Sequence, residues 1–279
     1  MARIVSDSSS NLYSLDGFDY KSVPLTIVTK EKEFKDDGNV DIDEFHEVLR
    51  KTKEKTTTSC PNTFQWLDAF EGAHEIYAIT ITSALSGSYN AASQAAEQYM
   101  QEHTGAKVHV FDSLSAGPEL PLVIEKIAEL AKEGKDFDTV VKETQDYQKH
   151  THLLFTLESL TSLAKNGRVN PAVAKIAGLL GIHIIGKASK EGTLELIDKC
   201  RGSKKVVKLI MEDLEKNGFN GKKLRIAHND NPIDADNIKQ EILKRYPFAE
   251  IVIERTGALC SYYAEEKGIM IGYEDGRAE

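Results

Sequence analysis

The chain has 279 residues, 44 of them acidic and 35 basic, which gives a formal net charge of −9. This length is sufficient for two α/β domains or one large one. The acidic balance argues against nucleic acid or an anionic membrane surface as the main partner, because both attract positive charge. The N-terminus shows no apolar signal core, and the apolar runs are too short to cross a bilayer, so we expect a cytoplasmic protein without stable membrane insertion. The three cysteines are far apart, which indicates reduced thiols and no metal site.

Strand and helix patterns alternate through the first half of the chain, which predicts a parallel, doubly wound sheet. A charged, hairpin-like segment at residues 30–39 follows the second apolar run, and we expect mostly solvated charge there. Residues 3–11 are predicted to form a strand that ends in a turn of Asp and hydroxyl residues, and further strands are predicted over residues 23–28, 76–81 and 107–112. The predicted helices cover residues 41–50, 62–70, 91–99, 120–132 and 137–148.

The order of patterns restarts near residues 150–156, where we place a domain boundary. The second half predicts a mixed sheet covered by helices, with strands 182–186 and 194–197 paired across a turn at 190–192. The chain is therefore divided into an N-terminal domain, residues 1–153, and a C-terminal domain, residues 154–279. The other predicted strands of the second half cover residues 153–157, 222–227 and 250–254, and its helices cover residues 158–165, 170–180, 204–216 and 234–246.

The turn after the strand at residues 76–81 contains Ser86, Gly87 and Ser88 before an alanine-rich helix. A strand-to-helix turn of this composition points free backbone N–H groups and hydroxyls outward, where the positive end of the helix favours an anion. Ser and Gly are also common at a helix start, so a capped helix without a ligand is the alternative. The surplus of hydroxyls over what one cap needs favours an anion site.

A second hydroxyl cluster, residues 56–60, also precedes a helix, and Pro61 suits the first turn of that helix. The strand that begins at residue 3 ends in Asp7 and several serines. Because the carboxyl ends of parallel strands meet at one edge of a sheet, we expect the Asp7 turn beside the Ser86 turn. Two hydroxyl-rich turns from separate loops predict one shared site for a ligand's head group.

Two arginines are candidate anion contacts. Arg168 follows the end of a short helix, where a guanidinium can bind a carboxylate or phosphate bidentately or can cap helix carbonyls. Arg201 lies in the most basic local stretch, which is either a solvated helix start or a contact for an anion or an acidic protein. Catalytic signals are weak, since Ser86 lies outside any GxSxG motif, a glycine-rich phosphate loop is absent and the histidines are scattered.

Six motifs follow one another along the chain: VSDSSSNL, TTTSCP, ITSALSGSYNAA, VFDSLSAG, LESLTSLAKNGRV and IDKCRGSKK. Together they resemble the DegV family across nearly the whole chain. The resemblance implies an N-terminal three-layer α/β/α domain with a parallel sheet and a C-terminal two-layer α/β domain with a mixed sheet. It also implies that a long-chain fatty acid such as palmitate is bound between them, without any other cofactor.

The best-understood members of the family are the fatty-acid-binding subunits of bacterial fatty acid kinase, which present the acyl carboxylate to a separate kinase subunit. By this resemblance the chain is a lipid-binding protein without catalytic residues of its own. The family's carboxylate-binding threonine and serine fall on Thr58 and Ser86. The neighbouring head-group residues are Ser59, Gly87 and Ser88, and the supporting or partner-facing residues are Asp7, Asp112, Arg168, Arg201 and Tyr263.

The chain departs from the family at Tyr263, where many members carry a histidine followed by a glycine-proline turn that is absent here. This change leaves carboxylate binding by Thr58 and Ser86 in place and bears on phosphoryl transfer with a kinase partner. Two alternatives stay open from the residues alone: a serine acyl-hydrolase, and a carrier of a small phosphorylated anion. The apolar residues 173–185 are candidates for the tunnel lining, and core packing explains them equally well.

Overall fold

The structure, a computed structural model, describes residues 2–52, 54–172 and 181–277. Its strands are β1 Arg3–Asp7, β2 Asp19–Val23, β3 Thr26–Val28, β4 Glu33–Lys35, β5 Thr57–Ser59, β6 Glu75–Thr80, β7 Lys107–Asp112, β8 Thr151–Leu157, β9 Ile182–Ala188, β10 Leu194–Arg201, β11 Phe219–His228, β12 Glu250–Arg255 and β13 Ile269–Asp275. Its helices are α1 Ile42–Lys51, α2 Thr63–Phe70, α3 Ser88–Glu102, α4 Leu120–Lys132, α5 Phe137–Gln148, α6 Thr161–Lys165, α7 Ser203–Lys216, α8 Pro232–Arg245 and α9 Ala258–Ala264, with short 3-10 turns at Ser8–Ser10 and Gly117–Glu119.

Strands β2, β1, β6 and β7 form a parallel sheet in that order, which confirms the predicted parallel sheet. Successive side chains of a strand point to opposite faces. On one face Ile4 and Ile79 pack with α4 and α5, and on the other face Val5 and Ala78 pack with α2 and α3. Burial on both faces explains the continuous apolar runs in these strands. The predicted three-layer arrangement is confirmed.

The apolar run at residues 23–28 and the hydroxyl cluster at residues 56–60 fold differently from the prediction. Pro24, which has no N–H to donate to a ladder, separates β2 from β3. Strand β3 pairs antiparallel with β4 and β5 in a separate three-stranded sheet. The cluster is therefore a strand rather than a strand-to-helix turn. Helix α2 begins only after the capping side chain of Asn62, so the placement of Pro61 in its first turn is wrong.

The second half of the chain forms a mixed six-stranded sheet in the order β10-β9-β8-β13-β11-β12, which confirms the predicted sheet type. Helices α7 and α8 cover one face, where Ile210 and Ile238 pack with Leu224. The sequence patterns missed α9 and β13, although the alternation of Ile269 and Ile271 is the signal of a strand. Strand β13 lies inside the sheet, antiparallel to both β8 and β11.

The predicted domain boundary between residues 153 and 154 falls inside β8, and the whole of β8 belongs to the six-stranded sheet. The division of the chain into two domains at that point stays a prediction. Of the helix predicted over residues 170–180, Pro171 and Ala172 are helical, and residues 173–180 lie outside the described residues.

A distant carboxylate holds the start of α9. Asp36 is 1% exposed and accepts hydrogen bonds from the backbone N–H groups of Ala258 (2.8 Å) and Leu259 (3.2 Å). A helix start leaves such N–H groups free, and a negative charge is favourable there. The hydroxyl of Tyr13 donates to the same carboxylate at 2.8 Å. The expectation of solvated charge at residues 30–39 is therefore wrong for Asp36, which fixes α9 beside the three-stranded sheet.

The parallel sheet and the six-stranded sheet are joined through the turn Gly117–Glu119. This turn lies directly on β13, since a Cβ added to Gly272 would come 2.4 Å from one of its carbonyl oxygens. Glu119 is buried at the junction, and its carboxylate accepts hydrogen bonds from the hydroxyls of Thr151 (2.7 Å) and Ser115. Burial raises the pKa of Glu119 to about 7, and the two hydroxyls offset this only in part.

Replacing Glu119 with glutamine is expected to make folding stability less dependent on pH. The pKa of Glu119 rises from an ordinary value of 4.5 to about 7 in the folded state. Its favourable contribution is therefore complete below about pH 4.5 and is lost as the pH rises through about 7, a change of about 3 kcal/mol. Urea unfolding of the wild type and Glu119→Gln between about pH 4.5 and about pH 8.5 measures this change.

The difference in unfolding free energy between wild type and Glu119→Gln should decrease as the pH rises. Glu97→Gln on the exposed face of α3 is the matched control, and its difference from wild type should stay constant. A Glu119→Gln difference that is constant over the same pH range would contradict the expected pKa.

Candidate functional site

A cavity of about 290 Å³ lies between the parallel sheet and the six-stranded sheet. It is bounded by β5, by α9, by the turn after β6 and by one face of β8. Its apolar lining comes from positions spread over the whole chain: Leu25, Ile81, Leu85, Ala116, Leu153, Phe155, Leu157, Leu163, Leu194, Leu259, Ala264 and Met270. The other described residues that line it are Thr58, Ser59, Cys60, Ser86, Gly87, Arg168, Cys260 and Tyr263.

Two of the predicted hydroxyl residues reach this cavity from separate loops. Thr58 reaches it from β5, which is held by its pairing with β3, and Ser86 reaches it from the turn between β6 and α3. Ser59 and Gly87 lie beside them and are exposed. The hydroxyl of Tyr263, on α9, lies 2.7 Å from the Oγ1 of Thr58 and orients it. The structure therefore brings these five predicted residues to one place.

The buried carboxylate of Asp7 fixes the turn that carries Ser86. One of its oxygens accepts hydrogen bonds from the N–H of Ile81 (2.9 Å) and the hydroxyl of Ser88 (2.6 Å). Burial raises the pKa of Asp7, and these donors offset part of that effect. The expected proximity of the Asp7 and Ser86 turns is confirmed by these contacts. Ser88 is fully buried, and its hydroxyl faces Asp7 rather than the cavity, because it is already committed to this carboxylate.

Arg168 connects the segment after α6 to the turn after β6. Its Nε donates to the carbonyl of Leu85 at 2.8 Å, and its Nη1 donates to the carbonyl of Asn166, the residue that ends α6. Arg168 therefore caps a helix carbonyl, as one predicted alternative has it, and also lines the cavity. Its contact with an anionic ligand stays a prediction. Burial raises the pKa of Tyr263, while its hydrogen bond to Thr58 and the nearby charge of Arg168 offset only part of the increase.

The last two predicted residues lie away from the hydroxyls. Asp112, at the end of β7, accepts hydrogen bonds from the N–H groups of Ser83 (3.0 Å) and Leu114 (3.2 Å). It therefore supports the turn after β6 from outside the cavity and lines a separate polar cleft. Arg201 ends β10, where it pairs with Ile182 in the ladder, and it is absent from the described lining of the cavity.

The hairpin of β9 and β10 docks on the turn after β6. Gly192 at its tip has a φ of +76°, and a Cβ there would lie 2.1 Å from the Oγ1 of Thr82. Only glycine tolerates both the left-handed conformation and the close approach. The predicted turn at residues 190–192 is confirmed, and of the docked hairpin Leu194 reaches the cavity lining.

Sequence reasoning missed most of the apolar lining. Leu153, Phe155 and Leu157 alternate along β8, and that period shows that they share a face without showing what the face contacts. Met270 belongs to β13, which the sequence patterns missed. Of the candidate stretch 173–185, residues 173–180 lie outside the described residues, and residues 181–185 do not line the cavity.

The site joins hydroxyl donors and a guanidinium to an apolar interior. Hydroxyls and a guanidinium suit a carboxylate, and the interior suits a hydrocarbon chain. In the part of the chain that the structure describes, no group of three or more His, Cys, Asp or Glu side chains is able to hold a metal ion. The described helices include none that is long and apolar enough to cross a membrane.

The comparisons of this chain with known proteins agree on one family. A family model with the description "Uncharacterised protein, DegV family" matches residues 1–275. A DegV domain-containing protein from Streptococcus pyogenes serotype M1 is 41% identical over 276 residues, which cover 98% of this chain and 99% of the relative.

Two solved structures are similar over nearly the whole length of this chain. A DegV family protein from Eubacterium eligens, loaded with heptadecanoic acid, is 42% identical with a TM-score of 0.97, and the match covers 99% of this chain and 100% of that one. The Streptococcus pneumoniae Fatty Acid Kinase (Fak) B3 protein, loaded with linoleic acid, is 41% identical with a TM-score of 0.96, and the match covers 98% and 99%. The resemblance found in the sequence motifs is confirmed, and the chain belongs to the DegV family.

Proposed function

We propose that this protein binds a long-chain fatty acid such as palmitate, with the carboxylate at Thr58 and Ser86 and the acyl chain in the apolar cavity. The observation that carries this proposal is that both hydroxyls open onto one cavity whose remaining lining is mostly aliphatic. Arg168 adds positive charge at the same end, and Ser59 and Gly87 lie next to the hydroxyls. A small phosphorylated anion would leave the apolar interior unused.

Two similar proteins and the energetics of burial support this function. The Eubacterium eligens and Streptococcus pneumoniae structures hold heptadecanoic acid and linoleic acid. Burial of a methylene contributes about 0.8 kcal/mol, so about 14 methylenes contribute roughly 11 kcal/mol before the cost of association. Each hydrogen bond to a charged head group contributes about 1.5–3 kcal/mol. The cavity therefore sets most of the affinity, and the hydroxyls fix which end of the ligand faces the turn after β6.

An acyl-hydrolase acting through Ser86 has less support. A serine nucleophile needs a base within hydrogen-bond reach. The Ser86 hydroxyl instead accepts a hydrogen bond from the N–H of Ser88 at 3.3 Å, and the described lining of the cavity includes neither a histidine nor a carboxylate. We propose a cytoplasmic binding protein rather than an enzyme, with the fatty acid as its ligand and no further cofactor.

The double variant Thr58→Val with Ser86→Ala is expected to bind palmitate at least about tenfold more weakly, because two donors to the carboxylate are lost. Calorimetric titration of delipidated protein measures the affinity. Thr57→Val is the matched control, because adjacent residues of a strand point to opposite faces and Thr57 does not line the cavity. Unchanged affinity in the folded double variant would show that the carboxylate binds at other residues. A wild type that shows no acyl mass after incubation with palmitate, in native mass spectrometry, would reject fatty-acid binding itself.

Because Tyr263 lies at the head-group site, we expect the affinity for a fatty acid to depend little on pH. Burial keeps the pKa of Tyr263 above its ordinary value of 10.0, so the phenol stays neutral from about pH 6 to about pH 9. Wild-type affinity for a fluorescent long-chain fatty acid should change less than about threefold over that range. Tyr263→His should bind more tightly at low pH, where an imidazolium pairs with the carboxylate, and should lose this gain as the pH rises through about 6.5.

Tyr263→Phe is the control for this titration, because it removes the hydroxyl that orients Thr58 and introduces no titrating group. It should weaken binding by the same factor at every pH. A wild-type affinity that changes tenfold or more between the two pH limits would count against a neutral head-group site.

We further propose that the loaded protein presents its carboxylate to the catalytic subunit of a fatty acid kinase. The similar Streptococcus pneumoniae protein is a fatty acid kinase B3 protein. In this chain a polar depression lined by Ser83, Asn90 and Arg168 opens beside Ser86, which gives a partner access to the head group.

Palmitate-loaded protein mixed with ATP and a purified fatty acid kinase catalytic subunit is expected to yield acyl phosphate, and neither protein alone should do so. Phosphate release coupled to hydroxylamine trapping of the acyl phosphate measures the product. Acyl phosphate formed by this protein alone would show that it is itself an enzyme. A mixture that forms no acyl phosphate would contradict the proposed partnership with the kinase.

A further inference from the structure

The side chains of β8 that face the parallel sheet change from polar to apolar along the strand. Thr151, Leu153, Phe155 and Leu157 share this face, in steps of about 7 Å. Thr151 lines a polar cleft of about 1050 Å³, whereas Phe155 and Leu157 line the apolar cavity of about 290 Å³. Among the described residues, Leu153 is the only one that lines both spaces.

The cleft beyond Leu153 does not suit a hydrocarbon chain. Lys187 and Glu195 lie on its wall, and the buried carboxyl of Glu119, bonded to Thr151, lines it as well. Apolar residues such as Phe111 and Leu114 also line the cleft, but an acyl chain that entered it would cover the charged groups of Lys187 and Glu195 and remove their contacts with water. The favourable region for a methyl end therefore stops at Leu153.

Leu153 and the hydroxyls adjoin different outer spaces. Ser86 and Arg168 line the polar depression beside the turn after β6, which shares no described lining residue with the cleft beyond Leu153. Leu153 is 2% exposed, and its backbone is held opposite Gly272 in the ladder between β8 and β13. A head group at Ser86 consequently directs the chain toward a fixed wall at Leu153.

We propose that Leu153 ends the acyl-chain cavity and thereby sets the longest fatty acid that the protein accepts. This inference rests on the proposed function. Each added methylene raises affinity about fourfold while it is buried in apolar surroundings. Once the methyl end meets Leu153, a longer chain has to bend or displace that side chain. Affinity is therefore greatest at one chain length, and Leu153 determines it.

Affinities of delipidated protein for saturated fatty acids of about 12 to about 22 carbons test this role. Leu153→Ala is expected to shift the best-bound length upward by about two carbons or more, and Leu153→Phe to shift it downward by about one or two. Leu157→Ala is the matched control, because Leu157 lines the cavity and not the cleft. It should weaken binding of every length without moving the optimum. Circular dichroism checks folding, and Leu153→Phe carries the test where the alanine variant fails to fold.

The outcomes separate this inference from the function on which it rests. Opposite shifts in Leu153→Ala and Leu153→Phe, with no shift in Leu157→Ala, establish Leu153 as the end wall. An unchanged optimum in folded Leu153 variants, or an equal shift in Leu157→Ala, would overturn that role while fatty-acid binding stands. A wild type that binds none of the fatty acids would reject the proposed function itself.

Discussion

The buried carboxylate of Asp7 is the contact on which the geometry of the site depends. It ties the end of β1 to the turn after β6 by accepting hydrogen bonds from Ile81 and Ser88. A buried carboxyl group without hydrogen-bond donors is costly, and these bonds satisfy it across two neighbouring strands. A strand-to-helix turn has no fixed direction of its own. Asp7 therefore decides that Ser86 faces the cavity while Ser88 faces the protein interior.

The parts of the fold that follow from local sequence were predictable, and those that depend on distant contacts were not. Strand β7 and helices α4 and α5 have the predicted bounds, because burial leaves continuous or helical apolar patterns in their sequences. Helix α9 has seven residues, and its first N–H groups donate hydrogen bonds to Asp36. Asp36 lies 222 positions before Ala258, the first residue of this helix. A local pattern contains no trace of such a partner. Pro24, in contrast, was a visible break between β2 and β3.

The candidate site, like the fold, was predictable only in part. Thr58 and Ser86 were identifiable because each lies in a short hydroxyl-rich motif, and the structure brings both to one cavity. The cavity itself was not predictable, since its lining extends from Leu25 to Met270 through elements that are far apart in sequence. Ser88 shows that residue type alone does not identify a cavity residue. It lies two positions after Ser86, but it begins α3 and its hydroxyl donates a hydrogen bond to the buried Asp7. Residue type suggested that these hydroxyls bind an anion, and only the packing showed which of them open onto the cavity.

The two ends of the cavity differ in exposure, and this difference matters for the proposed function. Ser59 and Gly87 are exposed beside Thr58 and Ser86, whereas Leu153, the end wall that we propose, is 2% exposed. A fatty acid held in this way keeps its carboxylate within reach of a partner. Release into water would expose every methylene at a cost of about 0.8 kcal/mol each, so a fatty acid bound as we propose would dissociate slowly although its head group is accessible. Slow release combined with an accessible carboxylate distinguishes a protein that presents its ligand for reaction from one that only stores it.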